Sequence, residues 1–294
     1  MSTKQPQNNK DMYNTENLER SRSSPNPQKM LPPTVFWRIS EDIPKPLNWA
    51  LMALSITVPF VLWWIISNSG LVKPAFLLPT PVQVGTALVR LWQDGSLPKD
   101  ITASLFRVLS GFLLAAIVSI PLGILMGAFA SIRALLEPII GIVRYMPAPA
   151  FIPLLILYFG LGEAPKILLI FIGTLFFNTL MVMDAVKFVP KELIETTYTL
   201  GGLRSNVILQ VISPYVLPSI IDACRVNMAA SWNLVIVAEL VAATEGLGRR
   251  ISVAQRYLKT DEIFAGLIVI GLIGLGIDLL FRLLMRISSR WSTS

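Results

Sequence analysis

The chain contains no histidine and a single cysteine, Cys224, among its 294 residues. Without histidine it lacks the commonest transition-metal ligand and the usual general base near neutral pH, so histidine-based catalytic triads are excluded. One cysteine excludes an intramolecular disulfide framework and a cysteine-cluster metal site. Charged residues are also scarce, at 15% against about 25% in an ordinary globular domain. Serine and carboxylate chemistry stay open, but no metal site is expected.

The charge that is present gives a net value of +7, which fits nucleic-acid binding, membrane association or positive-inside topology. Residues 1–48 are rich in Ser, Asn, Pro, Lys and Glu, with seven Lys/Arg against five Asp/Glu. Such a tract buries too little apolar surface to offset its ordering entropy, so we predict a polar, largely disordered cytoplasmic tail. Its mixed charges argue against a nucleic-acid partner.

Six runs with few or no charged residues follow this tail, each long enough, or extendable, to cross about 30 Å of hydrocarbon. Soluble buried helices do not account for six such runs. We therefore predict an all-α integral membrane domain over residues 49–294, with transmembrane helices near 47–67, 106–130, 139–160, 166–185, 216–241 and 263–285. Prolines within these spans are tolerated, because neighbouring helices re-satisfy the freed backbone groups.

The loop charges indicate the orientation of these spans. With the amino end inside, the inner segments carry 13 Lys/Arg and the outer segments carry 8. Positive residues are enriched in cytoplasmic loops, so we predict that both chain ends are cytoplasmic. The predicted transmembrane helices are expected to contact membrane lipid.

The fourth predicted connection, residues 189–213, has the pattern of a helical elbow. Pro190 suits the first turn of a helix that runs from Lys191 to Leu200, and Gly201 and Gly202 suit a left-handed helix end. We expect Ser205 to cap a second short helix reaching Ile212. Pro214 and Pro218 are then expected to redirect the chain into the fifth span. An elbow of this kind fits the groove of a partner protein.

The order of residues in this elbow resembles the EAA loop of binding-protein-dependent ABC importer permeases. The resemblance is carried by Glu195-Thr196-Thr197, by Gly201 four residues later, and by Ile212-Ser-Pro214. Two threonines replace the two alanines of the pattern, and Ser213 stands where leucine is usual. Further segments are similar to the nitrate/sulfonate/taurine/bicarbonate branch of these permeases: 76–81, 104–112, 121–123, 152–163, 238–240, 246–248 and 260–266. Together they cover roughly residues 50–290.

The resemblance implies a MetI-like permease fold with cytoplasmic coupling helices, in the inner membrane of a bacterium. It also implies a homodimeric pore, two cytoplasmic ATPase subunits and an extracytoplasmic solute-binding protein. The residues implied to couple transport to the ATPase are Glu195, Thr196, Thr197, Gly201, Gly202 and Pro214. The sequence contains no GxxxxGK[ST] phosphate loop. We therefore expect no cofactor in this chain, with ATP and Mg²⁺ on the partner subunits, and no enzyme activity of its own.

Charged and helix-breaking residues inside the spans are candidates for a substrate path, because charge in hydrocarbon is costly. The candidates are Arg144, Met146, Pro147, Arg225 and Glu239. Arg225 has two possible roles: it neutralises Asp222 three residues earlier, or it supplies positive potential to an anion path. The proline-broken segment after Arg144 exposes backbone donors that could line a path.

These features predict a permease subunit that carries a small anion or anionic organic solute, such as nitrate, bicarbonate, a sulfonate or a taurine-like compound. Residues 159–163 resemble the sulfonate/taurine-like versions more than the nitrate ones. An ion-coupled secondary transporter is the alternative, although it gives the elbow no purpose. An intramembrane enzyme is disfavoured by the missing histidine and by the lack of closely spaced carboxylate pairs.

Overall fold

The computed structural model describes residues 43–72 and 77–289. Most of the predicted tail therefore lies outside the described residues, as does the very end of the chain. Regular structure in the described ranges is helical throughout, with no strand. The principal helices are α1 (Lys45–Asn68), α2 (Pro81–Gln93), α3 (Ser96–Ala128), α4 (Ala130–Val143), α5 (Ile152–Phe159), α6 (Ala164–Lys187), α7 (Lys191–Thr199), α8 (Ser213–Ala242), α9 (Leu247–Arg256) and α10 (Thr260–Ser289).

Five of the described helical segments are long and apolar enough to cross a membrane, and a bent pair makes a sixth candidate. The all-α membrane fold predicted from the sequence is confirmed. By internal contacts the chain divides after Leu62, so that most of α1 forms a unit of its own. The helix α1 begins at Lys45, where Pro46 suits a first turn, so residues 45–48 are helical and do not belong to the tail. None of its residues is buried.

The third predicted span, 139–160, is broken at its prolines, as the sequence indicates, and its first arm begins earlier, at Ala130. It consists of α4, a short 3₁₀ turn at Ala148–Phe151, and α5, with a bend of 83° between the two arms. The cause is proline. Pro147 holds an extended backbone (φ −63°, ψ 120°), and Pro149 and Pro153 remove two further N–H donors.

The centre of the larger unit is the contact between α3 and α6, which lie at backbone distance along a row of small residues. A Cβ atom added to Gly111 would stand 2.7 Å from Cβ of Ile170, and one added to Gly123 would stand 2.7 Å from Cβ of Val182. A Cβ atom added to Gly127 would overlap Cβ of Val186 more closely still. Small residues on one helix face allow this approach, and the resulting van der Waals packing contributes to helix association in lipid.

Helix α8 packs on this pair through buried polar side chains. Asn178 of α6 donates to Oγ of Ser119 at 2.7 Å and accepts from Nδ2 of Asn227 at 3.1 Å. One helical turn along from Asn178 and Asn227, the hydroxyls of Thr174 and Ser231 lie 2.7 Å apart. Since polar side chains in an apolar bundle must find partners within the protein, these contacts fix the register of the three helices.

The entry into α8 differs from the predicted pair of helices separated by prolines. A helical turn at Arg204–Asn206 leads into a π-helical stretch, Val207–Ile212, and then directly into α8. The amino-terminal cap is at Leu203, whose N–H donates to Oδ1 of Asn206 at 3.0 Å, so Ser205 is not the cap. The wider π turn accommodates Pro214, which lies at the first turn of α8, and Oγ of Ser213 donates to the carbonyl of Ile208. Pro218 lies inside α8 without ending it.

The α3–α6 contact yields a prediction about Gly127. In Gly127→Ala the new methyl group overlaps Val186 and the carbonyl of Met183, so we expect a loss of about 1–3 kcal/mol in the free energy of unfolding. Gly141→Ala is the matched control, because no atom lies within 4 Å of the added Cβ. Denaturation of the purified protein in detergent measures both. Equal stability of the two variants would contradict the close contact.

Candidate functional site

The elbow between α6 and α8 turns on two glycines. Helix α7 ends at Thr199 with Leu200 as its C-cap, and Gly201 follows in the left-handed region with φ +82°. The N–H of Gly202 donates to the carbonyl of Thr197 at 2.9 Å, and an added Cβ on Gly202 would stand 2.7 Å from Cγ2 of that threonine. Gly201 therefore supplies the reversal of the chain, and Gly202 supplies the close return of the chain onto α7.

The elbow presents an outer surface that has both acidic and apolar groups. Glu195 and Thr196 are exposed on α7, and Pro214 is exposed at the start of α8. Large apolar side chains lie beside them without cover in the described part of the chain: Leu193, Tyr198, Leu200 and Leu203. The threonine hydroxyls bond back to carbonyls one turn earlier, Thr196 to Glu192 and Thr197 to Leu193. An uncovered apolar surface with a carboxylate is typical of a protein-docking site.

The inner side of the elbow rests on the ends of α3 and α6. Val207 and Ile212 of the π-helical stretch are buried there. A cavity of about 130 Å³ remains between the two parts, lined from the bundle by Gly127, Ala128, Phe129 and Val186, and from the elbow by Ile194, Tyr198, Arg204, Val207, Ile208 and Ile212. The elbow is thus seated on the bundle through apolar contacts and is covalently continuous with α8.

A cluster of charged groups lies at the opposite ends of these helices, around Arg107 of α3. This arginine is only 3% exposed and donates to Glu239 of α8 at 2.7 Å, to both carboxylate oxygens of Glu163, and to the carbonyl of Glu245 at 2.7 Å. Lys166 also donates to Glu163, at 2.9 Å. We call the set Ser104, Arg107, Glu163, Lys166 and Glu239 the Arg107 cluster.

The first turn of α9 completes the Arg107 cluster with backbone N–H groups. Gly248 donates to Glu239 at 2.9 Å, and Leu247 donates to Oγ of Ser104, which itself donates to Glu239 at 2.7 Å. Gly246 donates to Asp100 and has φ +122°, and an added Cβ would overlap the Glu239 carboxylate. A carboxylate at a helix N-terminus is stabilised by these donors and by the helix dipole.

Glu163 precedes α6 and lies outside the spans. Its hydrogen bonds with the Arg107 guanidinium, supported by Lys166, lower the pKa of this carboxyl from 4.5 to about 2 against the opposing effect of burial. Glu163 therefore stays ionised through the neutral range, and the ion pair is lost only when the pH falls toward 2.

Sequence analysis alone missed Arg107, the centre of this cluster. A signal was present, because Arg107 directly precedes an uncharged run and lies at the margin of the predicted span 106–130. Its partners Glu163 and Glu239 are 56 and 132 residues away in sequence. No local pattern connects residues at such separations.

The five substrate-path candidates fall into three separate places. Arg144, Met146 and Pro147 share the break between α4 and α5. Arg144 lies over the ring of Tyr145, 4.8 Å from its centroid, and its Nε is buried without a hydrogen-bond partner in the described part of the chain. Glu239 belongs to the Arg107 cluster and has no exposed side-chain surface.

Arg225 lies between two carboxylates. Its Nε donates to Asp278 of α10 at 2.5 Å, and its Nη1 is 3.5 Å from Asp222. Asp278 also accepts from Nε of Arg282 at 2.7 Å. Arg225 therefore contacts Asp222, as one of the two possible roles predicted. It also contacts Asp278, which the sequence did not indicate as a partner. Within the described ranges, no group of three or more Cys, Asp or Glu residues is arranged to hold a metal ion.

Comparison with known proteins gives the family. The family model described as "Binding-protein-dependent transport system inner membrane component" matches residues 119–293, which is more than half of the chain. The chain belongs to this family. It is therefore a membrane-spanning permease subunit of an ABC importer.

Several permease proteins of known families are similar to this chain over most of their length. The taurine transport system permease protein TauC of Escherichia coli (strain K12) is 34% identical over 260 residues, which cover 87% of this chain and 92% of that protein. The putative aliphatic sulfonates transport permease protein SsuC of Bacillus subtilis (strain 168) is 32% identical over 250 residues, covering 85% and 90%. The riboflavin transport system permease protein RibX of Chloroflexus aurantiacus is 30% identical over 270 residues, covering 91% and 100%.

Among solved structures, the chain resembles an inward-facing conformation of the MetNI methionine ABC transporter. The TM-score is 0.58 at 20% sequence identity, covering 69% of this chain and 96% of that one. This likeness shows the fold, and it confirms the MetI-like architecture predicted from the sequence.

The Arg107 cluster yields a second prediction. Arg107→Met leaves the buried Glu239 carboxylate without its cation, so we expect the free energy of unfolding to fall by about 3–5 kcal/mol. Arg90→Met is the matched control, because Arg90 is 56% exposed and its partner Glu262 keeps Lys259 at 3.1 Å. That change should cost at most about 1 kcal/mol. The comparison is made by denaturation in detergent, and similar losses in both variants would refute the role assigned to Arg107.

Proposed function

We propose that this permease carries a small anionic organic solute of the sulfonate or taurine type. The observation that supports this most directly is the similarity to TauC and to SsuC over 85% or more of the chain. The relative RibX, which is named for riboflavin, argues that this fold accepts other solutes as well. Nitrate and bicarbonate, which the sequence resemblance left open, become outcomes of the uptake experiment below.

The proposed assembly contains two copies of the permease, cytoplasmic ATPase subunits and an extracytoplasmic solute-binding protein. ATP and Mg²⁺ are bound by the ATPase subunits, and this chain contributes no catalysis. The uncovered surface of the elbow supports the contact with the ATPase subunits, since it presents Glu195 and apolar side chains to a partner. In this arrangement the elbow and both chain ends face the cytoplasm, and the Arg107 cluster faces the opposite side.

The proposed coupling residues are Glu195, Thr196, Thr197, Gly201, Gly202 and Pro214. Nucleotide binding closes the ATPase dimer and displaces the elbow as a rigid body. The displacement passes directly to α8, because the turn at Arg204–Asn206 and the π-helical stretch continue into that helix without a break. The spans then rock between inward-facing and outward-facing states.

For the substrate path we propose the break between α4 and α5, with Arg144, Met146 and Pro147. Its support is the exposed, interrupted backbone next to a guanidinium whose Nε has no partner in the described part of the chain. Broken helices supply backbone donors to substrates in other transporters. Arg225 and Glu239 are engaged by ion pairs within the protein, which favours a supporting role for them.

The proposed function is tested by uptake into proteoliposomes that contain the permease, the ATPase and the solute-binding protein. We expect taurine or an alkanesulfonate to accumulate only with ATP and with the binding protein present. Nitrate or bicarbonate uptake in place of these would refute the proposed substrate class. The ion-coupled carrier alternative predicts uptake that follows a proton or sodium gradient with the ATPase absent.

The coupling role is tested at Gly201. A β-branched residue with φ near +82° is strained by about 1–2 kcal/mol, so Gly201→Val should distort the elbow and lower the ratio of solute transported to ATP hydrolysed about tenfold. Gly201→Asn is the matched control, because asparagine tolerates the left-handed region. Transport and phosphate release are measured in the same proteoliposomes. Unchanged coupling in Gly201→Val would exclude the elbow as the coupling element.

A further inference from the structure

Helix α9 is buried where it begins and exposed where it ends. Leu247 and Gly248, in its first turn, are buried against the Arg107 cluster. The last residues of the helix and those that follow it, 255–259, are all exposed, and we call them the α9 tip: Gln255, Arg256, Tyr257, Leu258 and Lys259. Helix α9 therefore joins an exposed surface to the contacts that hold the end of α8.

The α9 tip ends the helix with a leucine at a position where glycine is usual. The N–H of Lys259 donates to the carbonyl of Ala254 at 2.9 Å, and the N–H of Leu258 donates to the carbonyl of Gln255 at 3.1 Å. This pair of bonds defines a Schellman motif, whose left-handed residue is commonly glycine. Leu258 holds that position with φ +55°, and it is the one non-glycine residue with positive φ in the described ranges. Its Cβ therefore strains the backbone.

Packing within the described chain gives no reason for this leucine. Leu258 is 63% exposed, and Tyr257 beside it is 73% exposed. Glycine would complete the same hydrogen bonds without strain. Strained backbone is concentrated at sites where a protein contacts a ligand or a partner. The exposed leucine and tyrosine therefore indicate a contact with another molecule.

The segment that carries the α9 tip is also basic. Residues 247–259 contain no Asp or Glu and four basic residues: Arg249, Arg250, Arg256 and Lys259. Arg250 pairs with Asp100 and Lys259 with Glu262, whereas Arg249 and Arg256 form no ion pair within the described ranges. In the proposed orientation this segment carries half of the outer Lys/Arg, although such residues are usually enriched on the cytoplasmic side. The excess positive charge fits an acidic partner surface.

The small extent of the apolar part favours a protein over lipid as the partner. Among residues 247–259, the exposed apolar side chains are those of Tyr257 and Leu258, and the exposed residues on either side are polar. A helix that lies on lipid needs a continuous apolar face along its length. Protein interfaces instead bury a few apolar anchors within a polar rim, and tyrosine and arginine are enriched in them.

We propose that the α9 tip docks onto the solute-binding protein, with Tyr257 and Leu258 in an apolar depression that acidic side chains surround. This inference rests on the proposed function, which supplies the extracytoplasmic position and the partner. The description of the family as binding-protein-dependent supports that partner. Helix α9 connects the contact to α8, because the N–H of Gly248 in its first turn donates to Glu239 at 2.9 Å.

The proposal is tested by biolayer interferometry between the solute-binding protein of the uptake experiment and the permease–ATPase complex in nanodiscs. Leu258→Gly should raise the Kd about tenfold, mainly through faster dissociation, because it removes an anchor from the interface. Leu258→Met keeps an apolar side chain and should restore most of the affinity. Leu283→Ala is the matched control, because Leu283 is 53% exposed near the other end of α10, and its Kd should be unchanged.

The charge at the α9 tip is tested in the same assay. Arg256→Gln should slow association about threefold and change dissociation little, since a charge at the rim of an interface acts mainly on the rate of encounter. The difference from the wild type should shrink at high salt, where the charges are screened. An Arg256→Gln variant with wild-type association at low salt would overturn the acidic partner surface.

Thermal unfolding separates docking from a structural role of Leu258. Leu258→Gly removes the backbone strain, so the Tm should rise by about 2 °C while binding weakens. Leu258→Ala keeps the strained φ and removes the anchor, so it should weaken binding without this gain. A leucine that only supported the helix end would lose stability and binding together, and that result in Leu258→Gly would overturn the proposal.

A fluorescent label at position 258 distinguishes the protein partner from lipid. The native cysteine, Cys224, is buried, so a bimane reagent should label Leu258→Cys selectively. We expect water-exposed emission from the nanodisc complex and a blue shift when the solute-binding protein is added. Emission that is blue-shifted from the start and unchanged by the binding protein would indicate lipid contact and overturn the proposal.

These outcomes are separable from failure of the proposed function. Docking is measured without transport, so a different solute class in the uptake experiment leaves the result unaffected. Absence of binding by the wild-type complex would overturn the proposed assembly together with this docking site. Wild-type binding with an unchanged Kd in Leu258→Gly and Leu258→Ala would overturn the docking site alone.

Discussion

The fold depends on pairing the few polar and charged side chains that are buried in a largely apolar helix bundle. Inside a membrane, a polar or charged group has no water with which to form hydrogen bonds. Its hydrogen-bond and ion-pair partners must therefore come from the protein. The described bundle meets this constraint at three levels. Asn178 links α3, α6 and α8 in the interior, the Arg107 cluster joins the ends of these helices that lie away from the elbow, and Arg225 ties α8 to α10. Each of these contacts joins two helices. The same hydrogen bonds and ion pairs therefore provide partners for the buried polar groups and hold the helices together.

The close approach of α3 and α6 makes those contacts possible. Only glycine at positions 111, 123 and 127 lets the two backbones come near enough for Asn178 to reach Ser119. A larger side chain on that row would separate the helices, and the hydrogen bond would lengthen with them. Packing by small residues and pairing of polar residues are therefore coupled here, although each is often discussed alone.

Local features of this chain were readable from the sequence, whereas its long-range partners were not. Uncharged runs predicted the apolar helices because hydrocarbon thickness sets their length. Gly201 was predicted at a left-handed helix end, and φ is +82° there. The prolines between 147 and 153 signalled a break, but the sequence pattern alone did not give its angle of 83°. The partners of Arg107, and Asp278 as a partner of Arg225, were missed for a related reason: they are distant in sequence, and charge alone does not indicate which distant acid an arginine will meet.

The continuous helix from the elbow into α8 has a consequence for how its two ends influence each other. From Arg204 to Val241 it forms one helical span of 38 residues, about 57 Å long at ~1.5 Å per residue. One end carries the elbow and the other carries Glu239, locked by Arg107 and the first turn of α9. Thermodynamic linkage is reciprocal. In the proposed assembly, if closing the ATPase changes the free energy of a binding event at the Glu239 end by some amount, then that event changes the free energy of ATPase closure by the same amount. A single continuous helix of this kind would let binding at the Glu239 end promote ATP hydrolysis as well as respond to it.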